Sequence, residues 1–304
     1  MQVRPETPQD YAAIARLHAR AFGNRAAEAA VVALRRQSCR YDPELSLVAV
    51  ADGAVVGHAL FMPCTIRLLG EDVRAVNLAP IAVVPERQRQ GIGSTLVSEG
   101  HAAAARKNYT VSLLLGDPAY YSRLGYLPAA FGSAFAEVTG VPQPCCGLHR
   151  RAVDSADSAA LNALWRMEDS EVDFSIEPGE DPLEWLSPNP AIQSSVYTSA
   201  GEVVGYTRVH TAEKDSPRAF LARGARAAAS IAHALAQDAG AFRLLLPVHP
   251  YSRSAQAFPA MCTAWDAGMA RSLAPGPFDE YYAKVKEGSR IPGRPVWPVC
   301  FDVA

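Results

Sequence analysis

The sequence has little that would tie it to a charged partner or a metal. Its 304 residues carry 29 basic and 31 acidic side chains, a formal net charge of -2, spread along the chain. That balance gives no electrostatic footprint for a nucleic-acid backbone or an anionic membrane surface. The seven histidines include no HExxH or comparable ligand spacing, and His58, inside the apolar run Val55 to Phe61, reads as a core or pocket-edge residue. The six cysteines (Cys39, Cys64, Cys145, Cys146, Cys262, Cys300) contain no CxxC pair, and adjacent Cys145 and Cys146 are poorly placed to ligate one zinc. No metal is expected, and the thiols are read as free and mostly structural. No segment reaches the roughly 18 apolar residues of a spanning helix. The N-terminus, MQVRPETPQDYAAIARLHARAF, places charges where a signal peptide needs an uninterrupted apolar stretch. The expectation is a cytoplasmic protein that acts on a small molecule or a protein.

What the chain does have is apolar material: 49% hydrophobic against 20% charged residues, enough for a core, over a length that favours two domains. The two halves repeat one rhythm. Asp10 precedes an amphipathic helix with Ile14, Leu17 and Ala21 on one face, and Asp157, 147 residues on, precedes a similar one through Leu161 and Leu164. Val55-Val56-Gly57 returns as Val203-Val204-Gly205, each after a turn that joins two apolar runs into a hairpin. Leu113-Leu114-Leu115 returns as Leu244-Leu245-Leu246 at an offset of 131, which Gly93 and Gly224 share, so the second half is 17 residues shorter between its hairpin and its glycine. These matches imply two copies of one α/β domain, residues 1–140 and 150–304, with a Pro- and Gly-containing linker at 141–149.

The chemistry-bearing segment lies in the first copy. Val76 to Pro85 reads as a buried central strand and runs through Gln88-Arg89-Gln90-Gly91-Ile92-Gly93-Ser94 into a helix with Leu96, Val97, Ala103 and Ala104 on its apolar face and Asn108 closing it. Strand, glycine loop and helix in that order make an anion cradle, because glycines let the backbone approach while unpaired amides at the helix start point at the bound oxygens. No Gly-Lys-Ser/Thr follows, so the loop is not a P-loop, and GxGxxG fails, so it is not a dinucleotide fingerprint. Further on, Leu113-Leu114-Leu115-Gly116-Asp117-Pro118-Ala119-Tyr120-Tyr121-Ser122-Arg123-Leu124-Gly125-Tyr126 reads as a strand ending at Gly116, an Asp117 cap, Pro118 in a first helical turn and Gly125 as terminator.

The Ala-Val-x-Pro-x-x-x-x-x-Gly-Ile-Gly core and the Gly-Asp-Pro…Tyr-Tyr-x-Arg-x-Gly-Tyr segment together resemble the GNAT acetyltransferase superfamily. The resemblance implies an α/β (α+β) fold of two GNAT-like domains, each a mixed, mostly antiparallel sheet flanked by helices, the second degenerate. It also implies acetyl-CoA as co-substrate. Ile81, Ala82 and Val83 would present strand backbone to the pantetheine arm, and the loop from Gln88 through Arg89, Gln90, Gly91, Ile92 and Gly93 to Ser94 would hold the pyrophosphate, with charge from Arg87 and Arg89. Tyr121 would be the general acid that protonates the leaving thiolate, and a main-chain N–H near Ile81 would meet the oxyanion.

No base is legible: Asn77, on the strand before the loop, can orient a water or a substrate amide but cannot take a proton. Phe22, Cys64, Trp165 and Trp185 are read as substrate liners or core, and Glu28, Glu71 and Asp72 as exposed carboxylates. The expected function is transfer of acetyl to a primary amine of a small molecule or protein by direct attack; the alternative is a non-catalytic acyl-CoA-binding regulator. Aligning Gly93 with Gly224 puts Ala219 and Ala222 opposite Gln88 and Gly91, so the second half would have lost the cradle and would shape, cover or oligomerise around the first.

Overall fold

The computed structural model describes residues 1–140, 147–294 and 299–303. The first half runs β1 (Gln2–Pro5), α1 (Tyr11–Ala21), α2 (Ala27–Gln37), β2 (Ser46–Ala51), β3 (Ala54–Leu68), β4 (Glu71–Val83), α3 (Ile92–Arg106), β5 (Val111–Leu115), α4 (Pro118–Tyr121) and β6 (Gly132–Thr139). The second runs β7 (Leu148–Ala152), α5 (Ser158–Glu168), β8 (Phe174–Ile176), β9 (Ile192–Ser199), β10 (Glu202–His210), β11 (Ala219–Ala222), α6 (Ala225–Ala239), β12 (Arg243–Leu246), β13 (Ala260–Ala264), β14 (Gly268–Ser272) and α7 (Pro277–Lys286). Of the expected linker, 141–146, including Cys145 and Cys146, lie outside the described residues, and its last two residues already belong to β7.

The repeat seen in the sequence is a repeat in space. Arg4 grips Asp10 through two hydrogen bonds of 2.7 and 2.9 Å while Asp10 accepts the amide of Thr7; 147 residues later Arg151 grips Asp157 at 2.6 and 2.7 Å while Asp157 accepts the amide of Asp154. Each pair ties an edge strand to the start of the following helix with a bidentate, charge-assisted contact. Gly57 in β3 lets Ile92 and Leu96 of α3 approach so closely that a Cβ there would sit 2.9 Å from Leu96, and Gly205 in β10 admits Ile231 of α6 in the same way. The hairpins β2–β3 and β9–β10, the helix pairs α1/α5 and α3/α6 and these two glycines therefore correspond, whereas α2 has no α-helical counterpart among the described residues of the second half.

Where the halves differ is the strand leading to the second helix. β4 has 13 residues and β11 has four. Residues 84–90 separate β4 from the Gly91 cap of α3, whereas Arg223 alone separates β11 from the Gly224 cap of α6. The helix starts thus align Gly91, not Gly93, with Gly224, and the shortfall is 15 residues rather than 17. Gly91 is left-handed at φ 83°, but Gly224 at φ 160° is ordinary extended backbone. The second copy has lost the loop itself, not merely its glycines.

The halves also exchange strands. The large sheet has the order β1-β2-β3-β4-β5-β14, antiparallel except for β4 beside β5, with β8 added along β3. Its last strand belongs by sequence to the second half, while β6 of the first half lies between β12 and β13. The cores follow: Met269 packs with Phe61, Leu96 and Tyr126, and Ala136 and Val138 pack with Ile231 and Leu244. Among the described residues no helix is long and apolar enough to cross a membrane.

Candidate functional site

The parallel pairing of β4 with β5 covers only Ala75 to Asn77, although β4 continues to Val83. Beyond Asn77 the strands part and leave a wedge with a free backbone edge on β4. Opposite Leu60, the register of β3 on β4 jumps from Ala59↔Ile81 to Phe61↔Leu78, an irregularity that re-aims the strand where it enters the wedge.

On one side of the wedge lies a cleft of about 830 Å³. Ile81, Ala82 and Val83 form one wall, the loop residues Gln88, Arg89, Gly91, Ile92, Gly93 and Ser94 the end, and Tyr120, Tyr121 and Arg123 the other wall, with Phe22 at the rim. Gln90 is not on that wall: its exposed side-chain amide donates to the Glu86 carbonyl at 3.3 Å. Arg89 at φ 60° and Gly91 at φ 83° turn the loop. The helix's first backbone bond runs from Thr95 N–H to the Gly91 carbonyl at 3.0 Å, so the amides of Ile92, Gly93 and Ser94 have no intrahelical acceptor and stand at the positive end of α3. Arg87 is engaged with Asp52 at 2.6 Å.

Local chemistry places the tyrosines. Asp117 accepts the amide of Ala119 at 2.9 Å and caps α4, Pro118 occupies its first position, and Gly125 at φ 82° stops the following turn. The Tyr120 hydroxyl lies 3.4 Å from Ser94 Oγ, and a Cβ at Gly93 would come within 2.7 Å of it, so the glycine is what lets Tyr120 brace the helix start. Tyr121 covers Gly116, where a Cβ would meet its ring at 2.3 Å, and lies edge-on to Tyr120 and Tyr126. Its phenol has no hydrogen-bond partner among the described residues, and burial beside Tyr120 pushes its pKa up to about 12. It stays protonated at any ordinary pH.

On the other side of β4 the cavities lie between the halves. One of about 590 Å³ is bounded by Asn77 and Ala79 of β4, Leu115 at the end of β5, and Arg208, Arg218, Arg294, Trp265 and Asp302 from the second half. Asn77 is only 2% exposed and neither its carbonyl oxygen nor its amide nitrogen has a partner. Cys64, Trp165 and Trp185 line a narrower chamber that also touches Asn77. Burial raises the Cys64 thiol to about 12, which keeps it inert. Asp72 pairs with Arg166 at 3.6 Å, and Glu28 faces Arg25 at 3.9 Å; neither reaches either cavity. Sequence reasoning missed Arg123, Arg208, Arg218 and Arg294. Arg123 stands inside the Tyr-Tyr-x-Arg segment and could have been found there, whereas the others sit in stretches with no motif.

The cleft joins an open strand edge, a left-handed glycine loop, a helix start and a buried phenol. The acetyltransferase (GNAT) domain family matches residues 2–129. The uncharacterized N-acetyltransferase YhbS of Escherichia coli is 37% identical over 131 residues, covering 43% of this chain and 75% of that protein. Solved GCN5-related N-acetyltransferases from Kribbella flavida (TM-score 0.72, 18% identity, 89% of this chain and 70% of that one) and Anabaena variabilis (TM-score 0.71, 12% identity, 90% and 73%) share the fold over both halves. The chain belongs to the GNAT acetyltransferase family.

Proposed function

We propose that the protein moves an acetyl group from acetyl-CoA to a primary amine by direct attack, with the site in residues 1–140 and residues 150–304 acting as a degenerate copy that walls the acceptor cavity. The carrying observation is the strand-to-helix loop at 84–90, absent from the second copy, which ends on the left-handed Gly91 and the unpaired amides of α3. Those features fit a diphosphate: the turn keeps side chains out of the approach, and fixed N–H dipoles meet negative oxygens without reorganising. Ile81 to Val83 offer main-chain donors and acceptors to an extended amide-bearing arm, as an added strand would take them. Arg89 and Arg123 border the same cleft and add positive charge.

When bound, acetyl-CoA supplies an activated thioester. The roles of the chain's own residues follow from position and charge. A strand N–H near Ile81 would donate to the oxygen that gains charge on attack, because no side-chain donor on β4 stands at that level. Tyr121 would donate its phenol proton toward the departing sulfur. Asn77, with both amide atoms open, would orient the amine or a water on the opposite side of β4; as an amide it takes no proton, so the amine loses its proton to water. Among the described residues no carboxylate lines the cofactor cleft.

The test is release of free thiol from acetyl-CoA over pooled amines, with acetyl-CoA affinity measured separately by calorimetry in parent and Gly91→Glu. The expected outcome is amine-dependent release in the parent and lost affinity in the variant, where a carboxylate crowds and repels the diphosphate. Unchanged affinity in Gly91→Glu would remove the loop from the cofactor site.

A further inference from the structure

The 590 Å³ cavity between the halves carries a charge pattern that speaks to the acceptor. Three guanidiniums, Arg208, Arg218 and Arg294, and one carboxylate, Asp302, face it. Asp302 lies 3.3 Å from Arg208 Nε and 3.6 Å from Arg218 Nη1, so it is shared between those two. Arg294 is 6% exposed; its Nη1 donates to the Pro247 carbonyl, but Nε and Nη2 are buried and unpartnered. Glu168 and Asp169 lie within its electrostatic reach outside the cavity wall, and burial drives both toward the neutral form, Glu168 up to about 8. A buried guanidinium with two open N–H directions is costly unless something anionic meets it. Asn77 borders the same cavity, also buried, with an open carbonyl oxygen and an open amide nitrogen. Ala79, in this wall, is two residues along β4 from Ile81 in the cofactor cleft, so the cavity abuts the place where acetyl transfer would occur.

Resting on the acetyltransferase reading above, we propose that the acceptor is an amine that also carries an anionic group, a carboxylate or a phosphate, held by Arg294 and Arg218 while Asn77 receives the amine. The excess of positive charge selects against polycations such as polyamines and aminoglycosides, which would set like charges together in a confined space. Bidentate geometry suits both oxyanions, so the arginines alone do not separate carboxylate from phosphate.

The experiment measures acetyl-CoA-dependent acetylation by the full chain of matched acceptors: carboxylate amines (β-alanine, aspartate, glutamate, dipeptides) against their amides, phosphate amines (phosphoethanolamine, glucosamine 6-phosphate) against the unphosphorylated forms, and spermidine. The expected result is a kcat/KM at least about 10- to 100-fold higher for one anionic set, the scale of a charge-assisted hydrogen bond. Whichever set responds identifies the anion. In Arg294→Gln the KM for that set rises by a similar factor with a smaller change in kcat. Arg218→Gln, whose side chain is one-third exposed, gives the same split if the buried variant fails to fold. Preference for amides or spermidine, silence of every anionic acceptor, or indifference of the preferred set to both variants overturns the proposal while acetyl-CoA binding by calorimetry stays intact. Loss of acetyl-CoA binding in the parent overturns the underlying reading, and the proposal with it.

Discussion

Replacing Tyr121 by phenylalanine removes one oxygen that has no partner among the described residues, from a ring otherwise held by Gly116, Tyr120 and Tyr126. The folded state loses no hydrogen bond, so stability should move by less than about 0.5 kcal/mol. Catalysis should not escape so lightly. Burial holds the phenol at about 12. Full transfer of its proton to a thiolate of ordinary basicity, near 8.5, is therefore uphill by about 5 kcal/mol. Tyr121 is better suited to donate a strong hydrogen bond to sulfur as charge develops than to surrender the proton early. A hydrogen bond to a charged group contributes about 1.5–3 kcal/mol, which predicts a fall in kcat of about 10- to 150-fold. That is the lower end of what general acids deliver, about 10²–10⁴-fold. Thiol release under saturating acetyl-CoA reads kcat; calorimetry reads cofactor affinity, which should stay within about twofold. The same phenol predicts the pH profile: the protonated form is the useful one, so activity should rise as the amine loses its proton and not decline before about pH 11. A Phe variant with parental kcat would make Tyr121 a packing residue, and a decline centred near pH 9 would assign the acid to another group.

Three other outcomes follow from the geometry. Gly91→Ala places a side chain at φ 83°, a left-handed turn that costs about 1–2 kcal/mol; acetyl-CoA affinity should fall several-fold by calorimetry, while Gly224→Ala, in extended backbone at the matching helix start, should leave it unchanged. Burial keeps His18 and His101 down at about 3 and His249 at about 4. Their neutral forms stabilise the fold above the ordinary histidine pKa, and below about pH 6.5 each costs about 1.4 kcal/mol per pH unit as the unfolded chain takes up protons. Glu168, raised to about 8, works the other way, its contribution growing as pH falls toward about 4.5. Urea midpoints should therefore drop from pH 7 to pH 5, and drop more steeply in Glu168→Gln; a flat midpoint down to pH 4 would contradict the buried neutral histidines. Finally, a fragment of residues 1–140 leaves β6 without β12 and β13 and β5 without β14. It should aggregate alone and become soluble when co-expressed with 147–304; a cooperative melt of the isolated fragment would refute that.

What the sequence discloses about this molecule depends on whether a feature is local. The Asp117 cap, the Pro118 start, the Gly125 stop and the apolar face of α3 are each set within a few residues, and each was legible because the physics that fixes them acts over one helical turn. The repeat was legible for the same reason, since hairpin and helix signals recur at 147 and 148 residues. It misaligned Gly93 with Gly224 because a glycine was matched by identity, whereas the structural equivalence is the helix cap, and identity says nothing about φ. Strand exchange was invisible. β6 and β14 have the composition of ordinary strands, and nothing in either says which half's edge it will join. That choice follows from competition among open edges once the sheets exist. The cavity between the halves inherits this blindness, for Asn77 and Ala79 of one half meet Arg208, Arg218 and Arg294 of the other only after the strands have crossed. Exchange also ties the second half, which has no loop like that at 84–90, to the first: it supplies β14 to the large sheet and the arginines to the cavity between the halves. Its losses are concentrated between hairpin and helix, where β11 is four residues against thirteen in β4 and no counterpart of the loop at 84–90 remains.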